Sequence, residues 1–507
     1  MRLHIRNPEK TARIALLITL SFMVCYGFVL VFAQVKPFWI DEWRLIYNLK
    51  FKDPATLWGP LDFTQQFPRV YLEMMKIFTR LFDYSYFTMR LPSCLVATAT
   101  ILLCYRLMNK IYKPDTVTRF LFVFILVSSV TFTEYFVQVK QYTMEIFLSL
   151  VAIWQLLGVL GINNNGVQHK GRYALLCLTF LVAPFFSYTY PIAAAPIFLV
   201  VLTQNILKFR SKDEPKQKPQ ILFLQWLPLF FAACSIVVFY LIDVSRVMAD
   251  KEMNAYWSYR MMSGGSGMLH ICSKCWDFFA QVGAGFIFEI IFGVLGISAF
   301  FWGAYKWVGS AGKTMYGTHE LLRLYALLLI VIAIGLFMVG KLPVEPKFNA
   351  FTVPSITILV IFLLDRLYIL PGYRRFTGWF IAVLIIGLIG NIVSSAADLV
   401  LKPTYAKRME IYVATEKAIM RAQAGGIPIL VTPGVAYPDA ITNVVPNLAT
   451  MEASAVLKTF PAYKVSDNIP VYTISDLTDL KEKVKQLPSS ITSVLAGDGI
   501  TFRLISR

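Results

Sequence analysis

The chain has 507 residues, 57% of them apolar and only 15% charged, with a mean hydropathy of +0.60. Soluble globular chains carry roughly 45–50% apolar and about 25% charged residues, so this composition excludes a string of water-soluble domains and requires that much of the surface face lipid. The net charge of +18 is placed largely between hydrophobic runs, as in membrane proteins that obey the positive-inside rule, and it gives no ground for a nucleic-acid partner.

Taken in order, residues 14–35 form a first uncharged run, long enough to cross a bilayer, which needs about 20 apolar residues. Residues 91–107, 120–133 and 145–160 are shorter candidates. The uncharged run 173–207 is long enough for a helical hairpin, with Pro191 as the expected turn. Residues 221–242, 278–304, 324–340, 348–364 and 376–397 follow, which gives eleven spans when the hairpin counts twice. Arg2, Arg6, Lys10 and Arg13, then Arg106, Lys110, Lys113 and Arg119, then Lys170 and Arg172 all fall on one side of that arrangement. So do Lys208, Arg210, Lys212, Lys216 and Lys218, then Lys306, Lys313 and Arg323, and finally Arg366, Arg374 and Arg375. That side is expected to be cytoplasmic, with the N-terminus inside and the C-terminus outside. The first span lacks a small-residue cleavage site and reads as an anchor.

Three segments then face the outer compartment: a loop over 36–89, a segment over 243–277, and a tail over 399–507. In the tail, apolar runs 427–431, 471–474 and 493–496 read as strands between helix-like stretches 405–424 and 477–486, the alternation of a small α/β domain. The expected architecture is an all-α polytopic membrane domain over 1–398, followed by a soluble extracytoplasmic α/β domain over 399–507.

Several polar residues need a reason. Asp41, Glu42 and Arg44 follow the first span within an aromatic stretch. Two readings are open: the acidic pair favours a helix N-terminus through the dipole, or it supplies a general base beside a cation at the membrane boundary. In the rest of the loop, Lys76 and Arg80 lie on an amphipathic stretch, either turned toward lipid headgroups or on an ordinary surface helix. Glu134, Gln138, Lys140, Tyr142 and Glu145 lie between two abbreviated apolar runs, which implies a cavity, since bare charge in hydrocarbon costs several kcal/mol. Lys140 serves either a phosphate or an ion pair with Glu134. Lys347, in a proline-flanked stretch, is either such a cation or a snorkelling side chain. Cys272 and Cys275, with His270 nearby, read as a local disulfide or free thiols rather than a zinc set.

In order along the chain, these pieces resemble the GT-C superfamily of polyprenyl-phosphate-sugar-dependent glycosyltransferases, in the branch of protein O-mannosyltransferases and the lipid A aminoarabinose transferase. Asp41-Glu42-Trp43-Arg44 resembles that branch's D-E-x-R motif. Gln66-Phe67-Pro68-Arg69-Val70-Tyr71-Leu72, with Leu81-Phe82-Asp83 and Met89-Arg90-Leu91-Pro92-Ser93, is similar to its "PPLYY … LFG … LRLPS" run. Gln138-Val139-Lys140-Gln141-Tyr142 resembles "E-x-R/K-x-Y", and Pro346-Lys347-Phe348 to Pro354 resembles "P-x-R-Y/L … P". Gln138 stands where the branch usually has Glu, Lys347 where it has Arg, and Phe67 where it has the first Pro.

The resemblance implies an inverting glycosyltransferase that moves a sugar from a polyprenyl-phosphate donor to a hydroxyl of a glycan, lipid or protein. The reaction would lie at the outer face of the membrane, in bacteria the inner membrane. It implies Asp41 and Glu42 as catalytic residues, and Arg44, Arg69, Lys140 and Lys347 at the donor phosphate. Glu134, Gln138 and Tyr142 would position the acceptor or a metal, and Glu42 and Glu134 the acceptor or a divalent cation; the resemblance leaves open whether such a cation is needed. The rival reading is a transporter or flippase of a lipid-linked glycan. Such proteins often carry two-fold repeats, and none is evident in this sequence.

Overall fold

The computed structural model describes residues 38–506 except 39, 83, 112–115, 137, 163–169, 211–218, 250–267, 284, 310–316, 344, 346, 370–384, 387–388, 391–402, 433–445, 465, 467–468, 475–476, 479 and 499–500. The expected spans 14–35 and most of 376–397 lie outside the described residues. Among the described residues, seven helices are long and apolar enough to cross a membrane: Tyr86–Ile111, Tyr142–Leu160, Tyr190–Phe209, Pro219–Ala249, Ile287–Val308, Thr318–Met338 and Ala350–Leu367. The chain falls into two compact units, one of Met1–Cys25, Phe67–Tyr71 and Ser93–Ser395, the other of Tyr26–Gln66, Leu72–Pro92 and Ala396–Arg507.

The first unit is helical. Phe223, Phe230 and Leu241 project outward from one apolar helix, the placement expected where the solvent is hydrocarbon rather than water. Helix Tyr142–Leu160 is its centre, with Leu150, Ile153 and Leu156 fully buried. Helices Met268–Ala280 and Gly285–Val308 pack closely because glycines face aromatic rings: a Cβ on Gly293 would stand 2.7 Å from Trp276, and one on Gly296 2.9 Å from Phe279. Small residues at such contacts let membrane helices approach.

Two expectations change here. The 173–207 run does make two helices, but the turn is Ala183–Phe186, and Pro191 sits in the first turn of helix Tyr190–Arg210. A proline there loses no needed donor, because the first N–H groups of a helix have no partner inside it. The 120–133 run is broken at Ser129, whose hydroxyl accepts the Phe132 N–H and starts a second short helix, Val130–Tyr135. The 243–277 segment is helical at both described ends, with Cys272 and Cys275 as free thiols on helix Met268–Ala280.

The second unit holds a four-stranded sheet: β1 (Ile429–Val431), β2 (Val471–Thr473), β3 (Ser493–Gly497) and β4 (Phe502–Ser506), in the order β2-β1-β3-β4. The first three strands are parallel and β4 pairs antiparallel with β3. Leu430, Val494 and Ala496 of the sheet and Val484 of helix Leu480–Lys485 form a core. Strand β4 and helix Pro446–Thr459 escaped the sequence reading, β4 because two of its residues are polar and most of it is exposed. Helix Pro403–Gly425 ends where Gly426 turns to φ 61, and the Ile427 N–H then reaches the Ala422 carbonyl at 2.9 Å. A side chain would strain that left-handed position.

Helix Ile40–Phe51 packs on helix Pro446–Thr459 and on the aromatic Phe460 that follows it. Trp43 stacks on Phe460 with centroids 4.9 Å apart, and its indole N–H donates to the Tyr412 hydroxyl at 3.2 Å. Tyr412 in turn donates to the Phe38 carbonyl at 2.7 Å. Glu416, one turn along from Tyr412, accepts the Ala462 N–H at 2.9 Å and the Tyr86 hydroxyl at 3.3 Å. Burial pushes its carboxyl above the usual range, against the pull of those hydrogen bonds. A carboxyl raised in the fold favours folding most below its unfolded value, about 4.3, and that contribution is lost as pH rises through the folded value. Thermal unfolding across pH should therefore show part of the stability falling as pH rises above about 4.3 toward neutral. Glu416→Gln should flatten that part; an unchanged slope in the variant would remove Glu416 as its source.

Candidate active site

In the second unit, the site begins at the first turn of helix Ile40–Phe51, where Asp41 and Glu42 lie at the positive end of the dipole. The two acids differ in setting: Glu42 is buried at 1% exposed, whereas the Asp41 side chain is 30% exposed. Arg44 Nη1 lies 3.4 Å from Asp41 Oδ1. The helix is fixed from its far side. Asn48, fully buried, donates to the Arg44 carbonyl at 2.8 Å and to the Asp62 carbonyl at 3.2 Å, and accepts the Asp62 N–H at 2.8 Å. Lys50 donates to the Phe460 carbonyl at 2.8 Å.

Lys76 does not reach for headgroups. It is buried, and its ammonium donates to the Leu49 carbonyl and, at 2.5 Å, to the Lys52 carbonyl, closing the C-terminal end of helix Ile40–Phe51. A cation at that end also meets the negative pole of the dipole. Desolvation lowers its pKa. Arg80 is exposed, as the surface-helix reading expects.

In the first unit, Gln138 and Lys140 lie in the turn between helices Val130–Tyr135 and Tyr142–Leu160, and Glu134 lies on the first of these. The turn is held by the Gln138 N–H on the Tyr135 carbonyl at 3.1 Å and by the Ser93 hydroxyl on the Gln138 carbonyl at 2.6 Å. Lys140 is buried at 7% exposed. Tyr142 opens the next helix and packs between Tyr135, at 4.8 Å between centroids, and Phe348, at 6.4 Å edge-on. Lys347 follows from Phe348: its ammonium lies 5.0 Å from that ring and 3.2 Å from Glu345 Oε2. The Asn349 amide pins the Lys347 turn by donating to the carbonyls of Pro343 at 3.2 Å and Glu345 at 3.0 Å. The structure thus joins the turns of Lys140 and Lys347 through Tyr142 and Phe348.

Arg69 belongs to a separate cluster of the same unit. Its backbone N–H donates to Asp243 Oδ2 at 3.0 Å, its Nε lies 3.9 Å from Asp243 Oδ1, and its Nη1 donates to the Phe67 carbonyl at 3.1 Å. The Tyr188 hydroxyl is 2.9 Å from both Asp243 Oδ1 and the Phe67 carbonyl. Both partners of the ion pair are buried. Asp243 sits where the Pro219–Phe239 helix widens to a π turn over Tyr240–Val244, a form often found at functional positions. Asp243 and Tyr188 were missed by the sequence reading; the available signal was an acidic residue closing a long apolar run. Among the described residues, no three His, Cys, Asp or Glu side chains cluster as a metal set.

Removing one partner of a buried pair leaves the other charge uncompensated, a loss of about 3–5 kcal/mol. Asp243→Ala should therefore lower the unfolding temperature more than Tyr188→Phe, which forfeits the contacts of one hydroxyl to Asp243 and the Phe67 carbonyl, about 1–2 kcal/mol in all. Similar shifts for both in lipid would rule out the buried pair as the main anchor.

No protein-family model matches the sequence, and no curated protein matches it. Solved structures do. ArnT from Cupriavidus metallidurans in the apo state aligns over 96% of this chain and 93% of its own, at 12% identity and a TM-score of 0.51. The same protein bound to undecaprenyl phosphate aligns over 95% and 92%, at 11% identity and a TM-score of 0.52. An oligosaccharyltransferase from Archaeoglobus fulgidus aligns over 76% of this chain and 56% of its own, at 12% identity and a TM-score of 0.42. At that identity the likeness shows the fold: this chain folds as ArnT does.

Proposed function

We propose that this chain is an integral membrane glycosyltransferase that moves a sugar from a polyprenyl-phosphate donor to a hydroxyl acceptor, with inversion at the anomeric carbon. The observation that carries this reading is the fold match with ArnT over nearly the whole of both chains, one of those structures holding undecaprenyl phosphate. The ordered motifs support it, as do the linked turns of Lys140 and Lys347.

Asp41, the more exposed of the two acids, takes the proton of the acceptor hydroxyl as its oxygen attacks the anomeric carbon. The bond from that carbon to the phosphate oxygen breaks, and its electron pair leaves with the polyprenyl phosphate. Lys140, Lys347 and Arg44 neutralise that phosphate, with Arg44 able to grip two oxygens at once. Glu42, Glu134, Gln138 and Tyr142 position the acceptor or a divalent cation. Arg69, engaged with Asp243 and Phe67, braces the start of helix Arg69–Phe82 rather than reaching the phosphate. The reaction runs at the outer face of a bacterial inner membrane, with the N-terminus cytoplasmic and the tail outside. The acceptor hydroxyl belongs to a glycan, a lipid or a protein.

The test is donor turnover. The protein in lipid receives a panel of undecaprenyl-phosphate sugars with membrane extract as acceptor, and released undecaprenyl phosphate is measured. One donor should be consumed. Asp41→Asn should slow it by about 10²–10⁴-fold, the usual worth of a general base, and Lys347→Ala should raise the donor KM more than the acceptor KM. Transport of a lipid-linked glycan without release from any donor would replace this reading with a flippase.

A further inference from the structure

Helix Ile40–Phe51 buries one side and leaves a strip half open. Glu42, Trp43, Leu45, Ile46, Asn48 and Leu49 are buried, whereas Asp41, Arg44, Tyr47 and Phe51 are not. At about 3.6 residues per turn these four share one strip, with Asp41 at one edge, Arg44 and Phe51 in the middle and Tyr47 at the other edge, about 9 Å along the axis from Asp41. Aromatic rings gather at the Tyr47 edge. Phe51 lies 4.7 Å from the Tyr47 ring between centroids, and Phe63 stands edge-on to it at 5.2 Å. Phe63 is held there against the preference of its own backbone. Among the described residues it is the one non-glycine with a positive φ, 61° with ψ 35°. That left-handed region costs a bulky side chain most, and a glycine would take the turn without strain. The turn is nevertheless fixed around the ring. Asn48 holds both backbone groups of Asp62, the Gln65 amide donates to the Phe63 carbonyl at 3.2 Å, and Lys52 lies 3.3 Å from the Asp62 carboxylate. Burial does not explain the strain, since Phe63 is only half-buried. A strained residue that its surroundings hold in place, with its ring partly open, is characteristic of a ligand contact.

The surroundings say which ligand. The rings offer flat apolar faces, but the rim is charged: Asp41 and Arg44 on the helix, Asp62, whose side chain is 48% exposed, and Lys52 beside it. Burial raises the Tyr47 phenol above its usual value and the Asp62 charge raises it further, so its hydroxyl keeps its proton as a donor. A polyprenyl chain on these rings would strip water from the rim without replacing its hydrogen bonds. A peptide main chain would seek backbone partners, yet those of Asp62 and the Phe63 carbonyl are already taken. A sugar ring has both surfaces, a face of C–H groups for an aromatic ring and a belt of hydroxyls for carboxylate, guanidinium and ammonium groups. We propose that Tyr47 and Phe63 form a platform on which a sugar ring of the acceptor stacks, which makes the acceptor a glycan and sets its hydroxyl along the helix toward Asp41. The assignment to the acceptor rests on the transferase reading.

The test reads binding with no donor present. Full-length protein in lipid nanodiscs is mixed with tetrasaccharides of neutral hexose, N-acetylhexosamine and uronic acid, each free and on a lipid anchor, and with a serine- and threonine-rich peptide. Contact is read by saturation-transfer NMR. At least one sugar should bind, and its free and anchored forms separate a free glycan from a glycolipid headgroup. Tyr47→Ala should weaken binding about ten-fold, the scale of one lost stacking contact, while Tyr47→Phe, which keeps the ring, should retain most of the affinity. Phe63→Gly should weaken binding as much yet leave the unfolding temperature no lower, because glycine relieves the left-handed turn. It also covers the case in which Tyr47→Ala folds poorly. Peptide binding in place of every sugar, no sugar bound, or affinity unchanged in both Tyr47→Ala and Phe63→Gly would overturn the platform. Sugar binding here without donor turnover would fail the transferase reading alone, and turnover without sugar binding would fail the platform alone.

Discussion

Irregular backbone within an apolar bundle must find hydrogen bonds from the protein itself, because hydrocarbon offers none. The first unit meets this constraint at two turns, and Lys140 and Lys347 sit on them. In the first, Ser129 starts the short helix, the Gln138 N–H returns to Tyr135, and Ser93 and Thr143 cover the carbonyls of Gln138 and Tyr135. In the second, Asn349 ties Pro343 and Glu345 together, while Thr352 receives the Gln281 amide at 3.1 Å. A lysine carried by such a turn has its backbone set before any ligand arrives, the preorganisation that the proposed phosphate-binding role would need.

The parts of the fold that depend on local pattern were legible in the sequence. Long apolar runs gave helices such as Tyr142–Leu160 and Thr318–Met338, and three short β-rich runs gave β1, β2 and β3. Partnerships between distant residues were not. Arg69 meets Asp243 across 174 positions, and Trp43 meets Tyr412 across 369. No periodicity in either segment encodes the other. Lys76 shows the same limit from another side: on an amphipathic helix a lysine reads as surface, and only the fold reveals carbonyls waiting at the end of a neighbouring helix. Pro191 misled for a different reason, since proline marks helix starts as readily as turns.

The motif residues were legible as a group but not in their division of labour. Asp41 and Glu42 are equivalent acids to a pattern reader, and helix geometry turns them in different directions. Leu45, Ile46 and Leu49 are buried, Trp43 is committed to Tyr412 and Phe460, and Asn48 is committed to Asp62. Those commitments fix the rotation of the helix about its axis, and that rotation puts Glu42 inside and leaves Asp41 partly open to water. In the proposed reaction, an acceptor hydroxyl arriving from water would reach the more open carboxylate first. The aromatic packing of Trp43 thus selects which of two adjacent acids is available as a base, and the general-base role assigned to Asp41 rests on that packing as much as on its own chemistry.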